Sequence, residues 1–571
     1  LTGGANAQAA TILFAEGSIM LDGASSLSTT TAADSTISSL TLAGGSSLET
    51  ADDLEITTLE DEANGSIVSD GDLTIDNDIT TSDTLSLIAG GTLTLQGDSS
   101  TINGDDSLLA GETISVDGDL TMNGANASIE AIGEISLNNI TMTGEGSSIT
   151  TGGTLAISGS GNLEHTTIET GTLHLVEDGD GTTMKDVSLT AAHTIVDAGK
   201  MLRLMAGNEY SLGITSITGD LNLGGNNQAA NAATVTAESM SIGYSFDAKG
   251  RQIDGTLTVN TGSSLTVRHS LTSTGSTSIV GSVTAGTIVL SGNANDLSGY
   301  GTVDGGTLKS LSSMTITNAT LGRTTLSSVT DMSIAGTLTD GGHNTLTSSE
   351  GNITLNASMT GTDNTISAAN GTVDINAAIS GDGLNVTAQD LVIDAALTTA
   401  GDYAGRGEIT VAGTMDVNAA ATLANVTLNV ARTDITGSGS SLTVSNTGAF
   451  GKLGNVTVAD HGTLTLTGTT AGTASSLSAD ISVSNNSTAS LTNTALTGSI
   501  LVSADSNTLT LDRTSVSGNV TLLGTTNTLS MTDSSIGQAL TMDGGQFDLY
   551  GANTVGELLL NTTNINLTLH N

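Results

Sequence analysis

Three residue types are missing from this chain of 571 residues, which contains no proline, no cysteine and no tryptophan. An average usage of about 5% would place roughly 29 prolines in a chain of this length. Proline cannot donate to a β-ladder and is confined to edges and bulges, so its absence favours strands that are paired on both sides. The absence of cysteine excludes a disulfide framework, cysteine-ligated zinc and thiol catalysis.

Basic and aromatic side chains are scarce. The chain has 12 Lys and Arg against 58 Asp and Glu, a formal net charge of −46, and 2% aromatic residues. Residues 1–184 hold 29 acidic residues and no basic one, since the first Lys or Arg is Lys185. Such a charge repels nucleic acid and anionic membranes, so neither is a predicted partner. No apolar run reaches the length of a membrane-spanning helix, so none is predicted.

A repeat of about 20 residues runs through most of the chain. Near the end, five alternating apolar–polar strands follow one another at spacings of 20, 20, 18 and 18, at Leu491, Leu511, Met531, Leu549 and Leu567. Alternation gives each strand one buried face, and the Gly, Asn and Asp between strands permit corners with positive φ. Short strands at a fixed period indicate a solenoid in which each coil stacks on the previous one.

The fold predicted from this repeat is all-β, a right-handed parallel β-helix of about 28 coils with roughly 20 residues per coil. Asn356 and Asn376 occupy the same place in neighbouring repeats, which predicts an amide ladder between them. A solenoid adds coils without needing a second globular core, so the length of the chain agrees with this fold.

Composition divides the predicted β-helix into three parts. Acidic coils cover 1–197, an irregular or wide-coiled segment covers 198–254, and regular coils cover 255–571, most regular at 483–569. Within the irregular segment, loop insertions are predicted at 224–238 and 244–254. A smaller irregularity is predicted at 398–410.

The segment 198–254 concentrates basic and aromatic side chains in a chain that is poor in both. One interpretation is an irregular loop or wide coil that packs over the β-helix, and the other is a protruding contact surface. The second interpretation makes seven residues candidates for ligand contact: Lys200, Arg203, Tyr210, Tyr244, Phe246, Lys249 and Arg251.

Acidic residues near glycine turns are candidate metal ligands. Hard oxygen ligands of this kind suit Ca²⁺, and the candidates are Asp76, Asp78, Asp178 and Asp180. Neither the twelve-residue calcium loop nor the glycine-rich nonapeptide of calcium β-rolls is present. A solvated acidic face is the alternative interpretation, so no cofactor is predicted and calcium is left open. The seven histidines are expected at the surface rather than in a zinc site.

Two short segments, Asp460-His461-Gly462 and Asp363-Asn364, are similar to fragments of sites that cleave acidic polysaccharides. That chemistry needs paired carboxylates, or calcium with a basic residue, in a groove that binds sugar. The chain offers no aromatic platform for sugar rings and few basic residues to hold a uronate. An enzyme is therefore the less favoured interpretation.

The style of the repeat resembles two kinds of bacterial β-helical protein. The recurring Gly-(Thr/Glu/Asp)-apolar-x-apolar pattern over 87–153 resembles the coils of filamentous-haemagglutinin-type exoproteins. The repeats over 507–531 resemble the carboxyl-terminal half of autotransporter passenger domains. The resemblance implies a secreted or outer-surface protein of a Gram-negative bacterium, commonly an adhesin or self-associating virulence factor. The last strand, residues 565–569, ends in the repeat without a polar capping element, and an open end would expose unpaired ladder groups. This predicts either that the sequence is part of a longer chain, tethered through a barrel after it, or that another subunit caps the end.

Three functions follow as hypotheses. The first is a non-enzymatic extracellular β-helical rod that acts as an adhesin or self-associating protein, with copies of itself or cell-surface glycans or proteins as partners. The second is a structural filament or surface-layer subunit that stacks end to end. The third is a polysaccharide-cleaving β-helix enzyme.

Overall fold

The structure of the chain is a computed structural model. It describes residues 1–176, 181–206, 209–224, 231–246, 252–292, 295–297, 305–401, 407–447, 449–468, 475–562 and 564–570. The side chains of residues 13–16 and 245–246 are outside this description.

The predicted all-β parallel β-helix is confirmed. In the described part of the chain the structure has about 26 turns of about 20 residues each, and no α-helix. The count is close to the predicted one. The right-handed sense of the coil stays a prediction.

The strands before residue 246 are β1 (Asn6–Ala9), β2 (Leu13–Leu21), β3 (Ser26–Thr29), β4 (Ser35–Leu42), β5 (Ser47–Thr50), β6 (Leu54–Asp61), β7 (Gly65–Ser69), β8 (Leu73–Ile75), β9 (Thr80–Thr81), β10 (Leu85–Ala89), β11 (Thr92–Leu95), β12 (Ser99–Ile102), β13 (Leu108–Gly111), β14 (Thr113–Met122), β15 (Ser128–Ala131), β16 (Ile135–Met142), β17 (Ser147–Ile157), β18 (Ser160–Glu164), β19 (Thr166–Leu175), β20 (Gly181–Lys185), β21 (Ser188–Val196), β22 (Met201–Met205), β23 (Glu209–Ser211), β24 (Ile214–Ile217), β25 (Asp220–Leu223), β26 (Thr234–Ala237), β27 (Ser239–Ile242) and β28 (Tyr244–Phe246).

The strands after it are β29 (Gln252–Asp254), β30 (Thr256–Val259), β31 (Ser264–Ser273), β32 (Ser276–Ile279), β33 (Ser282–Leu290), β34 (Asn295–Asp296), β35 (Thr307–Ser310), β36 (Met314–Leu321), β37 (Thr325–Ser328), β38 (Met332–Asp340), β39 (Thr345–Ser348), β40 (Ile353–Asn356), β41 (Thr365–Ile375), β42 (Ile379–Ser380), β43 (Asn385–Ile393), β44 (Leu397–Ala400), β45 (Glu408–Val417), β46 (Ala420–Ala424), β47 (Thr427–Thr436), β48 (Ser441–Asn446), β49 (Gly451–Ala459), β50 (Thr463–Gly468), β51 (Ser475–Ser484), β52 (Thr488–Thr492), β53 (Thr494–Thr497), β54 (Ile500–Ser503), β55 (Thr508–Asp512), β56 (Ser515–Val516), β57 (Val520–Leu522), β58 (Thr528–Thr532), β59 (Ser535–Met542), β60 (Gly545–Tyr550), β61 (Thr554–Leu560) and β62 (Ile565–His570).

The chain divides into two compact units, residues 1–286 with 290–294, and residues 287–289 with 295–571. In the first unit, parallel strands of successive coils align equivalent apolar residues in one buried column. One such column is Leu87, Leu109, Ile129, Ile149, Ile168, Leu189, Tyr210, Val235 and Leu265. The inward-facing apolar side chains of each coil pack against those of the next coil, so the stacking of coils forms the hydrophobic core.

In the second unit, the repeat near the end of the sequence forms a ladder through β52, β55, β58, β60 and β62. Leu491, Leu511, Met531 and Leu549 are aligned as predicted. The predicted fifth member is wrong, because Leu549 pairs with Leu569 and Leu567 pairs with Phe547. An alternating strand can shift by two residues and keep the same buried face, so the sequence pattern alone does not fix this register.

The predicted amide ladder is confirmed, since Asn376 Nδ2 lies 3.1 Å from Asn356 Oδ1 and donates to it. This ladder is on the surface of the coil. The structure also contains buried amide ladders that the sequence analysis did not identify, in which Asn344 donates to Asn364 and Asn507 donates to Asn527, each at 3.1 Å.

One interior column of the first unit contains a carboxylic acid. Asp61 is aligned with Leu42 in the previous coil, and its Oδ2 accepts a hydrogen bond of 3.0 Å from Thr81 Oγ1 in the next coil. Burial raises the pKa of the Asp61 carboxyl. Desolvation disfavours the charged form, and the nearby carboxylate of Asp83 acts in the same direction.

This raised pKa gives a pH-dependent stability. The pKa of Asp61 is higher in the folded state than in the unfolded state. Its contribution to the stability of the fold is therefore fully present below the unfolded pKa and is progressively lost as pH rises through the folded pKa. We therefore expect Asp61→Asn, which keeps an oxygen that can accept from Thr81 and carries no charge, to stabilise the coils around residue 61 at pH 7 but not at pH 3. Hydrogen exchange of peptides from this region, taken as the difference between wild type and variant, measures the effect. A variant that is less protected than wild type at pH 7 would contradict it.

Candidate binding surface

One segment of the first unit leaves the parallel coil and returns to it. Residues 244–246 and 252–254 form an antiparallel pair, β28 and β29, which is separate from the parallel sheets. Tyr244 is opposite Asp254, and Phe246 is opposite Gln252. This hairpin falls inside the insertion predicted at 244–254. Its tip, residues 247–251, lies outside the described residues.

The base of the hairpin is held by backbone hydrogen bonds. Gly243 donates to the carbonyl of Ile217 at 2.8 Å, and Gly255 donates to the carbonyl of Gly243 at 2.9 Å. Thr256 donates to the carbonyl of Gly219 at 2.9 Å, so β30 continues the parallel ladder directly after the hairpin. A Cβ on Gly255 would lie 3.0 Å from the carbonyl oxygens of both Gly219 and Gly243, so glycine permits this close approach.

The hairpin exposes apolar surface on both of its faces. Alternation along a strand places Tyr244 and Ile253 on opposite faces, and they are 45% and 42% exposed. On the face that carries Tyr244, the side chain of Gln252 donates a hydrogen bond of 2.6 Å to the carboxylate of Asp254. This polar pair lies beside Tyr244. A large aromatic side chain with a polar hydroxyl is a common anchor in protein interfaces.

The other predicted contact residues are dispersed. Lys249 and Arg251 lie outside the described residues, and of Phe246 only the backbone is described. Arg203 is half-buried on a sheet face between Thr183 and Asn222, and its guanidinium contacts the sulfur of Met201. Arg203 belongs to the regular ladder rather than to the hairpin.

Two of the predicted contact residues are part of the interior, so the prediction that they contact a ligand is corrected. Tyr210 is aligned between Leu189 and Val235 in a buried column, and its hydroxyl donates to the carbonyl of Met205 at 2.8 Å. Burial raises the pKa of Tyr210 to about 12. Lys200 is also buried, and its ammonium donates to the carbonyls of Ser158 and Gly159, two coils earlier.

The insertion predicted at 224–238 ends in a regular strand. Residues 234–237 form β26, which pairs in register with β23 and β31. Residues 225–230 lie outside the described residues, as do residues 402–406 in the irregularity predicted at 398–410.

A charged cluster that the sequence analysis missed lies at the other end of β27 from the hairpin. Glu238 is 3.3 Å from the guanidinium of Arg268 and 3.4 Å from the imidazole of His269. All three side chains are largely exposed, which limits the stabilising effect of the ion pairs. Glu238 and Arg268 are 30 residues apart, more than one repeat, because the hairpin lengthens this coil.

Of the four calcium candidates, only Asp76 and Asp78 lie among the described residues, and neither belongs to the group of converging carboxylates found there. Asp78 Oδ1 accepts a hydrogen bond of 2.8 Å from the backbone N–H of Ser99. This hydrogen bond links Asp78 to the next coil. Asp178 and Asp180 lie outside the described residues. Among the residues that the structure describes, oxygen atoms from Asp34, Asp52 and Asp53 approach within 4.8 Å of one another. Asp53 Oδ1 already accepts the backbone N–H of Asp72 at 2.7 Å, which gives this cluster a structural role.

A column of carboxylates in the second unit was also missed. Asp416 and Asp434 are aligned in successive coils, and Arg432 forms a bidentate pair with Asp434 at 3.1 and 2.8 Å. Burial, followed by the negative charges of Asp434 and Asp390, raises the pKa of the Asp416 carboxyl. Groups that titrate unusually are candidates for function as well as for structure.

The residues that suggested a polysaccharide-cleaving site lie on turns between coils. Asp460 accepts a hydrogen bond of 2.9 Å from the side-chain amide of Asn485, and His461 donates its backbone N–H to the carbonyl of Asn485 at 3.1 Å. His343 Nδ1 is 3.5 Å from Asp363 Oδ2. These contacts link neighbouring coils.

Comparisons with protein-family models, with curated proteins and with solved structures found no match to this chain. None of the described segments forms a helix with the length and apolar character needed to cross a membrane.

Proposed function

We propose that this chain is a non-enzymatic, extracellular β-helical protein that acts at a bacterial outer surface as an adhesin or a self-associating protein. The observation that carries the proposal is the hairpin over 244–254. It departs from the parallel coil of the first unit and presents Tyr244 and Ile253 to solvent. The partners proposed are other copies of the chain or glycans and proteins of neighbouring or host cells.

Two further features support this proposal. The coil uses its inward residues for stacking and many outward amides and carboxylates for ladders between coils, so the hairpin is an addition that stacking does not require. The repeat style over 87–153 and 507–531 also resembles that of haemagglutinin-type exoproteins and autotransporter passengers, which are commonly adhesive.

Removal of the hairpin tests the proposal. Gly243 and Gly255 are already joined by a 2.9 Å hydrogen bond, so deletion of residues 244–254 connects two positions that are adjacent in the coil. We expect bacteria that display the deleted chain to lose most of their clumping or cell binding, by about tenfold or more, because an interface depends on a few large anchors. Sedimentation of cells and counts of bound bacteria measure the loss.

The control keeps the hairpin and removes its anchors. Tyr244→Ser with Ile253→Ser should reduce clumping or binding in the same direction, whereas Ile214→Ser, at an exposed position outside the hairpin, should leave it unchanged. Unchanged clumping and cell binding after the deletion would overturn the adhesive role of the hairpin. Cleavage of an acidic polysaccharide by the purified chain, lost in Asp460→Ala, would instead establish the enzyme, and concentration-dependent filaments in electron micrographs would establish the structural subunit.

A further inference from the structure

A second exposed apolar position lies among the acidic coils. Ile132 is 79% exposed, more than any other large apolar side chain that the structure describes. It follows β15 at a corner of the coil. The register of the strands places it in a column between Glu112 in the previous coil and Gly152 in the next. A corner that carries glutamate in one coil and glycine in another does not require isoleucine for folding.

Ile132 borders a shallow depression with a floor of small residues. The depression has a volume of about 460 Å³, and its lining includes Ala110, Gly111 and Ala131. Because these residues have little or no side chain, an incoming aliphatic group can reach the backbone beside Ile132. We call this surface the Ile132 trough and define it by Ala110, Gly111, Glu112, Glu130, Ala131 and Ile132.

Two carboxylates border the trough. Glu112 and Glu130 are exposed and belong to its lining. Residues 1–184 supply 29 acidic residues and no lysine or arginine, so these coils offer neither glutamate a lysine or arginine partner. The first basic residue, Lys185, lies 3.4 Å from Glu164. The trough therefore combines an apolar floor with a strongly negative potential.

We propose that the Ile132 trough binds a cationic polypeptide segment in which one aliphatic side chain is flanked by lysine or arginine residues. The aliphatic side chain covers Ile132 and the floor of small residues, which removes apolar surface from water. The flanking cations approach Glu112 and Glu130, and the surrounding negative field accelerates their encounter. This surface is separate from the hairpin, so the proposal does not depend on the adhesive role.

The test uses two labelled peptides of equal charge, Lys-Lys-Leu-Lys-Lys and Lys-Lys-Ser-Lys-Lys. Fluorescence anisotropy with the purified chain measures their dissociation constants at two salt concentrations. We expect the leucine peptide to bind about tenfold more tightly, the gain from burying one aliphatic side chain. Ile132→Ser should abolish this preference, and Glu112→Gln with Glu130→Gln should weaken both peptides most strongly at low salt.

A matched control separates the trough from the general charge of the chain. Ile214→Ser, which removes another exposed isoleucine of the same unit, should leave the tenfold preference intact. Equal affinity for the two peptides would show attraction to the acidic coils only and would overturn the proposal. A preference that survives Ile132→Ser, or binding that is insensitive to the two glutamine substitutions, would overturn it as well.

Discussion

Asn507→Leu is expected to destabilise the coils around residue 507 by about 3 kcal/mol, because it removes the partner of two backbone groups, the N–H of Ser487 and the carbonyl of Ser503, and breaks the buried amide ladder. Asn507 Oδ1 accepts the backbone N–H of Ser487 at 2.9 Å, and Nδ2 donates to the carbonyl of Ser503 at 2.8 Å and to Asn527 Oδ1 at 3.1 Å. Leucine is close to asparagine in size, but it can neither donate nor accept a hydrogen bond. Hydrogen exchange of peptides from this region should accelerate about a hundredfold, since 1.4 kcal/mol corresponds to a factor of ten.

The exposed amide ladder provides the matched control for this prediction. Asn376 donates to Asn356 with the same 3.1 Å separation, but both side chains are exposed and exchange their hydrogen bonds with water. We expect Asn376→Leu to change the local free energy of opening by less than about 0.5 kcal/mol. Equal effects of the two substitutions would show that burial does not determine the strength of an amide ladder in this fold.

Lys200→Met is expected to accelerate exchange about thirtyfold in the coils that contain residues 158–159 and 200, a loss of about 2 kcal/mol. The buried ammonium donates to the carbonyls of Ser158 and Gly159, two coils before it, and thereby ties three successive coils together. Methionine retains the apolar stem but leaves both carbonyls without this donor. Stability in a solenoid depends on contacts between neighbouring coils, so the effect should be local rather than global.

Lys185→Met is the comparison for Lys200. Lys185 is partly exposed, and its ammonium lies 3.4 Å from Glu164 at the surface. Surface ion pairs contribute about 0–1 kcal/mol, so we expect less than fivefold acceleration from this substitution. An effect of Lys185→Met as large as that of Lys200→Met would contradict the structural role assigned to the buried lysine.

The repeat allowed the fold to be predicted from the sequence, because a period of about 20 residues with alternating strands leaves few ways to bury an apolar face. The outer ladder of Asn356 and Asn376 followed from the same period. The last strand was assigned to the wrong register. A shift by two residues between Leu567 and Leu569 preserves the apolar face, and only the pairing with β60 decides between them.

The predicted contact surface over 198–254 was less accurate than the predicted fold, because basic and aromatic residues were assumed to be exposed. Lys200 and Tyr210 were placed on a contact surface with Tyr244, since basic and aromatic residues are rare in this chain. The register puts Tyr210 into an interior column and lets Lys200 reach across two coils. The alignment of Asp416 with Asp434 was missed for a related reason, since no motif marks two carboxylates as neighbours across a ladder.

The sequence by itself determined that this chain forms a parallel β-helix, because the period and the alternation of apolar residues are properties of every coil. It also determined the acidic charge of the first 184 residues, which depends on composition alone. Only the tertiary structure decided which unusual side chains are buried and which are exposed. The physical reason is that each side chain meets its neighbours about one coil away, where a small change of register or one inserted hairpin changes every contact.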